Sequence, residues 1–530
     1  MGHPTLQPST PKPESYDEVL YPGFSFVQSH PDRLAAQALL FGMTPTPLES
    51  SRILEIGCGD GANLIPIAFG LPGSQCVGID LAMRPIALGQ KMIETMGLKN
   101  VTLRKMDIME VTKDLGEFDY ILAHGVYSWV PPAVQDELLA ICAQNLAPNG
   151  VAYVSYNAYP GGHIRQMIRR MMLYHTRNIV DPLERVSNGL GLIQGLLESM
   201  KEPAPDPILP IIKPEFERMR NINPQSLFHD DFAEFNEPVY FYEFMERATR
   251  HGLKYLAEAD LAAMHVTHAS VLEGGAVDET EDVIECEQLL DFRVFRNFRA
   301  TLLCHKDVRT VRVPPLENVR RLYIAADVVP DSTGRDSQSD KGVTFRKVGP
   351  KLNLKVTTDH PLTKAALFHL SACWPERISF EELKSVAFAK SGWTPTPEEV
   401  APLEAMLLKM HVTKILDLHA HKTQAVATVS DRPVASALAR TMLRERGFAA
   451  SLNHNNLHLD GALSALIQLL DGTRNRADLI NEMETLAASG NMTVDVDGAP
   501  AKDAAEARKA MVEGLEENLQ KVARMALLVA

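Results

Sequence analysis

Short apolar runs alternate with amphipathic stretches through the first third of the chain. The runs at 53–56, 77–80, 101–108, 118–123 and 150–156 are bounded by turn residues and separated by helix-period patterns. Strand and helix in alternation predict a doubly wound α/β sheet, in which ligands sit beyond the carboxyl ends of the strands. After 156 the rhythm breaks. Residues from about 162 to 250 carry long amphipathic patterns such as Ile164-Arg165-Gln166-Met167-Ile168-Arg169-Arg170-Met171-Met172-Leu173, with no strand-like run, and predict a helical insertion. Strand patterns return at 253–258 and 298–305. Beyond about 310 come strand-like segments at 321–326 and 352–356 around a polar linker, Asp331 to Gly342, then helical patterns at 362–373, 380–389 and 399–410 and a strand-like 412–416. Three helices and a strand predict a winged-helix unit. A mostly helical module follows from about 432.

The expected organisation is therefore a domain over 1–310, with the helical insertion inside it, a β-rich and winged-helix-like domain over 311–430, and a helical domain over 431–530. A chain of 530 residues is too long for a single core. Residues 1 to about 15, rich in Pro, Ser and Thr, are expected to be disordered. No apolar run reaches transmembrane length and no secretory leader is evident, so a cytoplasmic protein without a membrane span is expected. A net charge of −14 argues against nonspecific nucleic-acid binding. The cluster Arg165, Arg169 and Arg170 reads chiefly as a solvated helix face. Six scattered cysteines without ligand spacing predict core thiols and no metal site.

Chemistry concentrates where the first apolar run ends, in Glu55-Ile56-Gly57-Cys58-Gly59-Asp60-Gly61-Ala62-Asn63. Alternating glycines allow a tight strand-to-helix turn and a close backbone approach to a ligand. Asp80 closes the second run, where a carboxylate can accept hydrogen bonds from ribose hydroxyls or simply cap the next helix. The glycine spacing is not the G-x-G-x-x-G of dinucleotide folds, since no further glycine comes until Gly70. Asp107-Ile108 ends the third run, and His124-Gly125-Val126-Tyr127-Ser128-Trp129 follows the fourth.

In order and spacing this set resembles the motifs of class I S-adenosylmethionine-dependent methyltransferases. The resemblance implies a Rossmann-like seven-stranded sheet, with 253–258 as sixth strand and 298–305 as antiparallel seventh, and S-adenosyl-L-methionine as cofactor (S-adenosyl-L-homocysteine as product). It implies cofactor contacts from Glu55, Gly57, Cys58, Gly59, Asn63, Asp80, Leu81, Asp107, Ile108 and His124. The aromatic segment before the sheet would act as a lid, with Tyr21, Gln28 and His30 as candidates. Further on, His229-Asp230-Asp231, Asn236-Glu237-Pro238, 251–260 and 298–305 resemble the bacterial methyltransferase regulatory domain, the companion of rickettsial-type protein-lysine methyltransferases. That implies protein lysines as acceptors, notably in outer-membrane proteins.

Amine methylation needs an aligned, neutral nitrogen, and an apolar aromatic channel lowers the pKa of a lysine by desolvation. Tyr127 and Trp129 after the fourth strand, and Tyr156, Asn157 and Tyr159 after the fifth, are the candidates for such a channel; aromatic residues at strand ends also pack cores. The Asn/Asp-Pro-Pro-Tyr/Phe signature of many amino-group methyltransferases is absent, so the acceptor site is built differently. His124 reads as a general base, a neighbour of the cofactor ring or a structural histidine. The favoured reading is a protein-lysine N-methyltransferase. A small-molecule or lipid methyltransferase and a noncatalytic cofactor-sensing adaptor stay open, and a homodimer is compatible with the sequence. All cofactor motifs precede residue 160, so the region past 310 is expected to govern the acceptor and not the methyl chemistry.

Overall fold

The computed structural model describes residues 17–199, 208–267, 282–331, 342–349, 354–496 and 499–530. The expected N-terminal disorder and nearly all of the expected polar linker lie outside the described residues.

Seven strands form the central sheet, β1 (Arg52–Ile56), β2 (Gln75–Asp80), β3 (Val101–Lys105), β4 (Phe118–Ala123), β5 (Leu146–Asn157), β6 (Leu253–Glu258) and β7 (Phe298–His305), in the order β3-β2-β1-β4-β5-β7-β6. The first five run parallel; β7 is antiparallel to both neighbours. Buried on both faces, β4 shows no exposed position, which is why its sequence is a continuous apolar run. The chain order reverses between β1 and β4, and that switch point aims the β1 and β4 loops at one crevice.

The insertion is helical as expected: Gly162–His175, Pro182–Ser199, Leu209–Arg220, Pro224–Asp231 and Phe241–Arg250. The first four pack around their own core, with Ile168, Met172, Ile193, Phe216 and Met219 at its centre. The regulatory-domain-like segment is pinned to the sheet by one buried cation. Arg299 on β7 meets Glu258 of β6 at 2.5 Å and Asp291 at 2.8 Å, with Glu287 at 3.2 Å and the Phe241 ring 3.8 Å beneath it.

Past 310, helices Pro361–Cys373, Phe380–Ser391 and Pro397–Val412 stand against a small sheet of Tyr323–Ala325, Ile378–Ser379 and Asp417–His419. The strand expected at 412–416 lies later. Val412 ends its helix, Lys414 takes a left-handed turn (φ 61°), and Ile415 and Leu416 are buried before pairing begins. The apolar core runs unbroken from the sheet into this region, whereas a separate core lies beneath the C-terminal helices. The N-terminal helix Pro31–Leu40 joins the first two bodies: Asp32, 1% exposed, accepts the backbone N–H groups of Ala420 and His421 and pairs with His419 and Arg377. Among the described residues no helix is long and apolar enough to cross a membrane.

Candidate active site

Where β1 ends, Gly57, Gly59 and Gly61 all take positive φ, of 71°, 54° and 72°. A Cβ on Gly57 would come within 2.5 Å of Val126 Cγ2, whereas one on Gly59 would point into open space. The turn is therefore closed against the β4 loop on one side and bare on the other. The bare side opens into a cavity of about 440 Å³ lined by Tyr21, Phe24, Phe26, Glu55, Gly57, Cys58, Gly59, Asn63, Asp80, Leu81, Asp107, Ile108, His124, Val126, Trp129, Asn157, Arg165, Asp230 and Phe298, among others.

Asp80 buttresses the turn: its Oδ2 accepts Gly59 N–H at 2.8 Å and its Oδ1 accepts Ala82 N–H at 2.9 Å. Burial pushes its pKa up, against the pull of those amides. Asp107 accepts Met109 N–H and so turns the chain, leaving Asp107 and Ile108 on the cavity wall. Glu55, near the end of β1, accepts Asn63 Nδ2–H at 2.7 Å through one oxygen; the other, Oε2, is buried with no partner. Burial pushes the Glu55 pKa up to about 8. Asn63 spends all four of its amide bonds inside the protein, on Glu55, Ser29, Phe26 N–H and His454, so it shapes the wall without a polar group to offer.

The expected adenosylmethionine fits this donor set. A buried carboxylate oxygen without a partner is costly unless a ligand supplies the missing donor, and a cationic amino group would do so at Glu55. Asp80, Asp107 and Ile108, the expected ribose and adenine contacts, line the same cavity. The open space over Gly59 is the room a ligand needs next to the backbone.

The pre-sheet segment does cover the cavity, through Tyr21 of the three candidates and through two residues not expected, Phe24 and Phe26. The Phe26 ring lies 3.7 Å from that of His124. Gln28 and His30 do not line it. Gln28 bonds the Tyr153 side chain, and His30 Nδ1 caps the helix Pro31–Leu40 by accepting Asp32 N–H. Burial lowers the His124 pKa to about 4, and its Nδ1 meets the Tyr153 hydroxyl at 2.9 Å; a neutral ring tied on one side matches the structural reading better than a general base.

Of the acceptor candidates, Trp129 and Asn157 line the cavity. Tyr127 and Tyr156 do not. Both are fully buried beneath it, packed on Phe244, with the Tyr127 hydroxyl accepting from Arg247 and the Tyr156 hydroxyl on Thr301 Oγ1 at 3.0 Å. Alternation along β5 turns Tyr156 into the core and leaves Asn157 at the edge. Tyr159 stacks on His163 at 4.0 Å in a separate surface groove.

The sequence reading missed the opposite wall. Arg165 is no solvated residue: it makes a bidentate bridge to the fully buried Asp231, at 2.7 and 2.6 Å, and reaches Asp230 at 3.7 Å. Arg169 is buried too, so only Arg170 matches the solvated-face reading. Asp230 lies in the cavity wall with its pKa pushed up to about 6 by burial, Arg165 opposing that rise. The His229-Asp230-Asp231 run marked the segment, but nothing local says that it folds back onto the sheet edge.

Three family models match the chain: "Methyltransferase domain" over 53–150, "Predicted methyltransferase regulatory domain" over 223–305, and "PKMT, C-terminal winged helix domain" over 431–527. The last places a winged-helix domain after the segment that the helix pattern had singled out. The chain is 29% identical over 519 residues to the uncharacterized protein RP789 of Rickettsia prowazekii, covering 97% of this chain and 93% of that one. It is 37% identical over 242 residues to RP028 of the same organism, covering 46% of this chain and 96% of that one. The solved structure of PKMT2 from Rickettsia typhi in complex with AdoHcy superposes with a TM-score of 0.85 at 27% identity, over 96% of this chain and 100% of that one. The chain belongs to the class I S-adenosylmethionine-dependent methyltransferases that carry a methyltransferase regulatory domain, and it resembles the rickettsial PKMT proteins over nearly its whole length.

Proposed function

We propose that the protein methylates the side-chain amine of lysines in a protein acceptor. The observation that carries this reading is the wall built by Asn157, Arg165, Asp230 and Phe298. Asn157, Arg165 and Phe298 also line a second, smaller cavity of about 150 Å³ between the helices Gly162–His175 and Leu209–Arg220. Two small adjoining cavities with a shared wall, the larger one holding the Asp230 carboxylate, suit an unbranched chain ending in a cation better than a fused-ring metabolite.

Bound adenosylmethionine would supply the methyl group on a sulfonium. Asp230 attracts the arriving ammonium and, with an elevated pKa, takes up its proton so that a neutral nitrogen remains. Trp129 and Phe298 are aromatic residues of the lining available for cation-π attraction. Desolvation in these cavities lowers the lysine pKa from its ordinary value of about 10.4. A family resemblance to the rickettsial PKMT proteins supports the protein acceptor, and an outer-membrane protein is the acceptor class proposed.

Labelling with tritiated adenosylmethionine in the presence of outer-membrane and soluble protein fractions, followed by peptide mapping, tests the reading. Label on lysine nitrogen is expected. Label confined to small molecules or to oxygen would overturn it. Asp230→Asn is expected to depress turnover and to move the acid limb of the pH-rate profile while cofactor affinity stays near wild type.

A further inference from the structure

The methyltransferase motifs all precede residue 160, yet the loop that carries them is held from the far end of the chain. Arg446, the last residue of the helix Ala437–Arg446, places Nη1 2.6 Å from Asp60 Oδ2 and donates to the Asp60 backbone oxygen at 3.3 Å. His454 lies in the turn between the short strands Ala449–Ala450 and Asn456–Leu457, and its Nε2 meets Asn63 Oδ1 at 2.8 Å. Asn456 closes a reciprocal pair with the backbone of Ser25, giving to its oxygen at 2.8 Å and taking from its N–H at 3.0 Å. The glycine-rich turn and the lid segment are thus both tied to the C-terminal domain.

The quality of these contacts separates them from ordinary domain packing. His454 is 4% exposed and sits at φ 64°, in the left-handed region that few residues other than glycine enter, histidine being, with asparagine and aspartate, among those that enter it more often. Backbone held in such a region persists where the surroundings over-determine it, and functional sites are where it gathers. Burial drives the His454 pKa down to about 3, so the ring is neutral, and because its Nε2 faces the Asn63 carbonyl oxygen the single ring proton is assigned there. The acceptor of that donor, Asn63 Oδ1, belongs to the amide whose nitrogen bonds Glu55, the residue with the unpartnered oxygen. Asp60, Asn63 and Glu55 all line the cavity.

We propose that the C-terminal domain completes the cofactor site, with His454 and Arg446 as positioning residues that act through Asn63 and Asp60. His454 fixes the Asn63 amide, which orients the Glu55 carboxyl. Arg446 holds Asp60 at the apex of the turn, between Gly59 and Gly61. The domain is then part of the methyl-donor machinery, whatever acceptor the enzyme uses.

Calorimetric titration of the full-length protein with S-adenosylhomocysteine tests this without relying on turnover. His454→Ala is expected to weaken binding about tenfold, the scale of one buried hydrogen bond. His454→Gln keeps an N–H donor for Asn63 and is expected to recover most of that loss, which a purely structural role would not predict. Amide hydrogen exchange across 57–63 in the unliganded protein should quicken in the alanine variant and not in the glutamine one. Arg446→Gln, at a partly exposed helix end, is expected to weaken binding severalfold and keeps the test decisive if His454→Ala does not fold. Wild-type affinity in Arg446→Gln together with wild-type affinity or no rescue in the His454 pair would overturn the proposal and leave these contacts as domain packing.

Discussion

Asp80, the residue that ends β2, accepts the backbone N–H of Gly59 at 2.8 Å and so holds the turn that follows β1. One carboxylate therefore serves the shape of the glycine turn and the ligand that the turn accommodates. The backbone amides of Gly59, Ala82 and Leu81 use three of the roughly four acceptor sites of the carboxylate, so Asp80 keeps capacity for a ribose hydroxyl. Asp80→Ala is expected to lose about 1.5–3 kcal/mol of cofactor binding, as for hydrogen bonds to a charged group. Titration with S-adenosylhomocysteine checks this, and unchanged affinity would remove Asp80 from the site.

Glu55 predicts a proton linkage. Burial holds its pKa at about 8 against a reference of 4.5, so it is largely protonated at pH 7. The folded state then binds more protons than the unfolded one between those values. The stability contributed by the neutral form is full below about 4.5 and is lost as the pH rises through about 8. A cationic ligand favours the ionised form, so cofactor binding at pH 7 should release a proton. Calorimetry in buffers of different ionisation enthalpy measures that release, and Glu55→Gln should abolish it.

Tyr156 is expected to behave as a core residue. Its hydroxyl meets Thr301 Oγ1 at 3.0 Å, away from the cavity. Tyr156→Phe should cost roughly 0.5–1.5 kcal/mol of stability and leave methyl transfer near wild type. Thermal unfolding and initial rates separate the two, and a large loss of turnover without destabilisation would return Tyr156 to the acceptor site.

Arg299 compensates Glu258, Asp291 and Glu287 in a region where all four side chains are at most 2% exposed. Arg299→Met would leave the buried Glu258 and Glu287 without their cation, Asp291 keeping Arg296, at a cost of about 3–5 kcal/mol. Glu287, whose pKa is already raised to about 7 by burial, would move further toward its neutral form. A lowered urea midpoint and partial recovery of stability on acidification from pH 8 to 6 are the expected readouts.

The central sheet was legible because its signals are local. Strands 253–258 and 298–305 sit where the apolar runs placed them, and the glycines, Asp80 and Asp107 meet because successive parallel strands deliver their carboxyl ends to one edge. Tyr127 and Tyr156 were read on the wrong side of that edge. Strand alternation assigns faces, but both faces of β5 are covered here, so an aromatic residue at its end can pack inward as easily as outward.

What required the tertiary structure was every partnership across long sequence distance. Arg165 looked solvated until Asp231, 66 residues on, was seen to pair with it. His454 carried no signal at all, because its role depends on meeting Asn63 across 391 residues. Periodicity and turn chemistry act over a few residues and determine which elements exist and in which order a parallel sheet can string them. Burial, charge compensation and hydrogen-bond satisfaction are properties of the packed interior. They decide which side chains finally face the cavity.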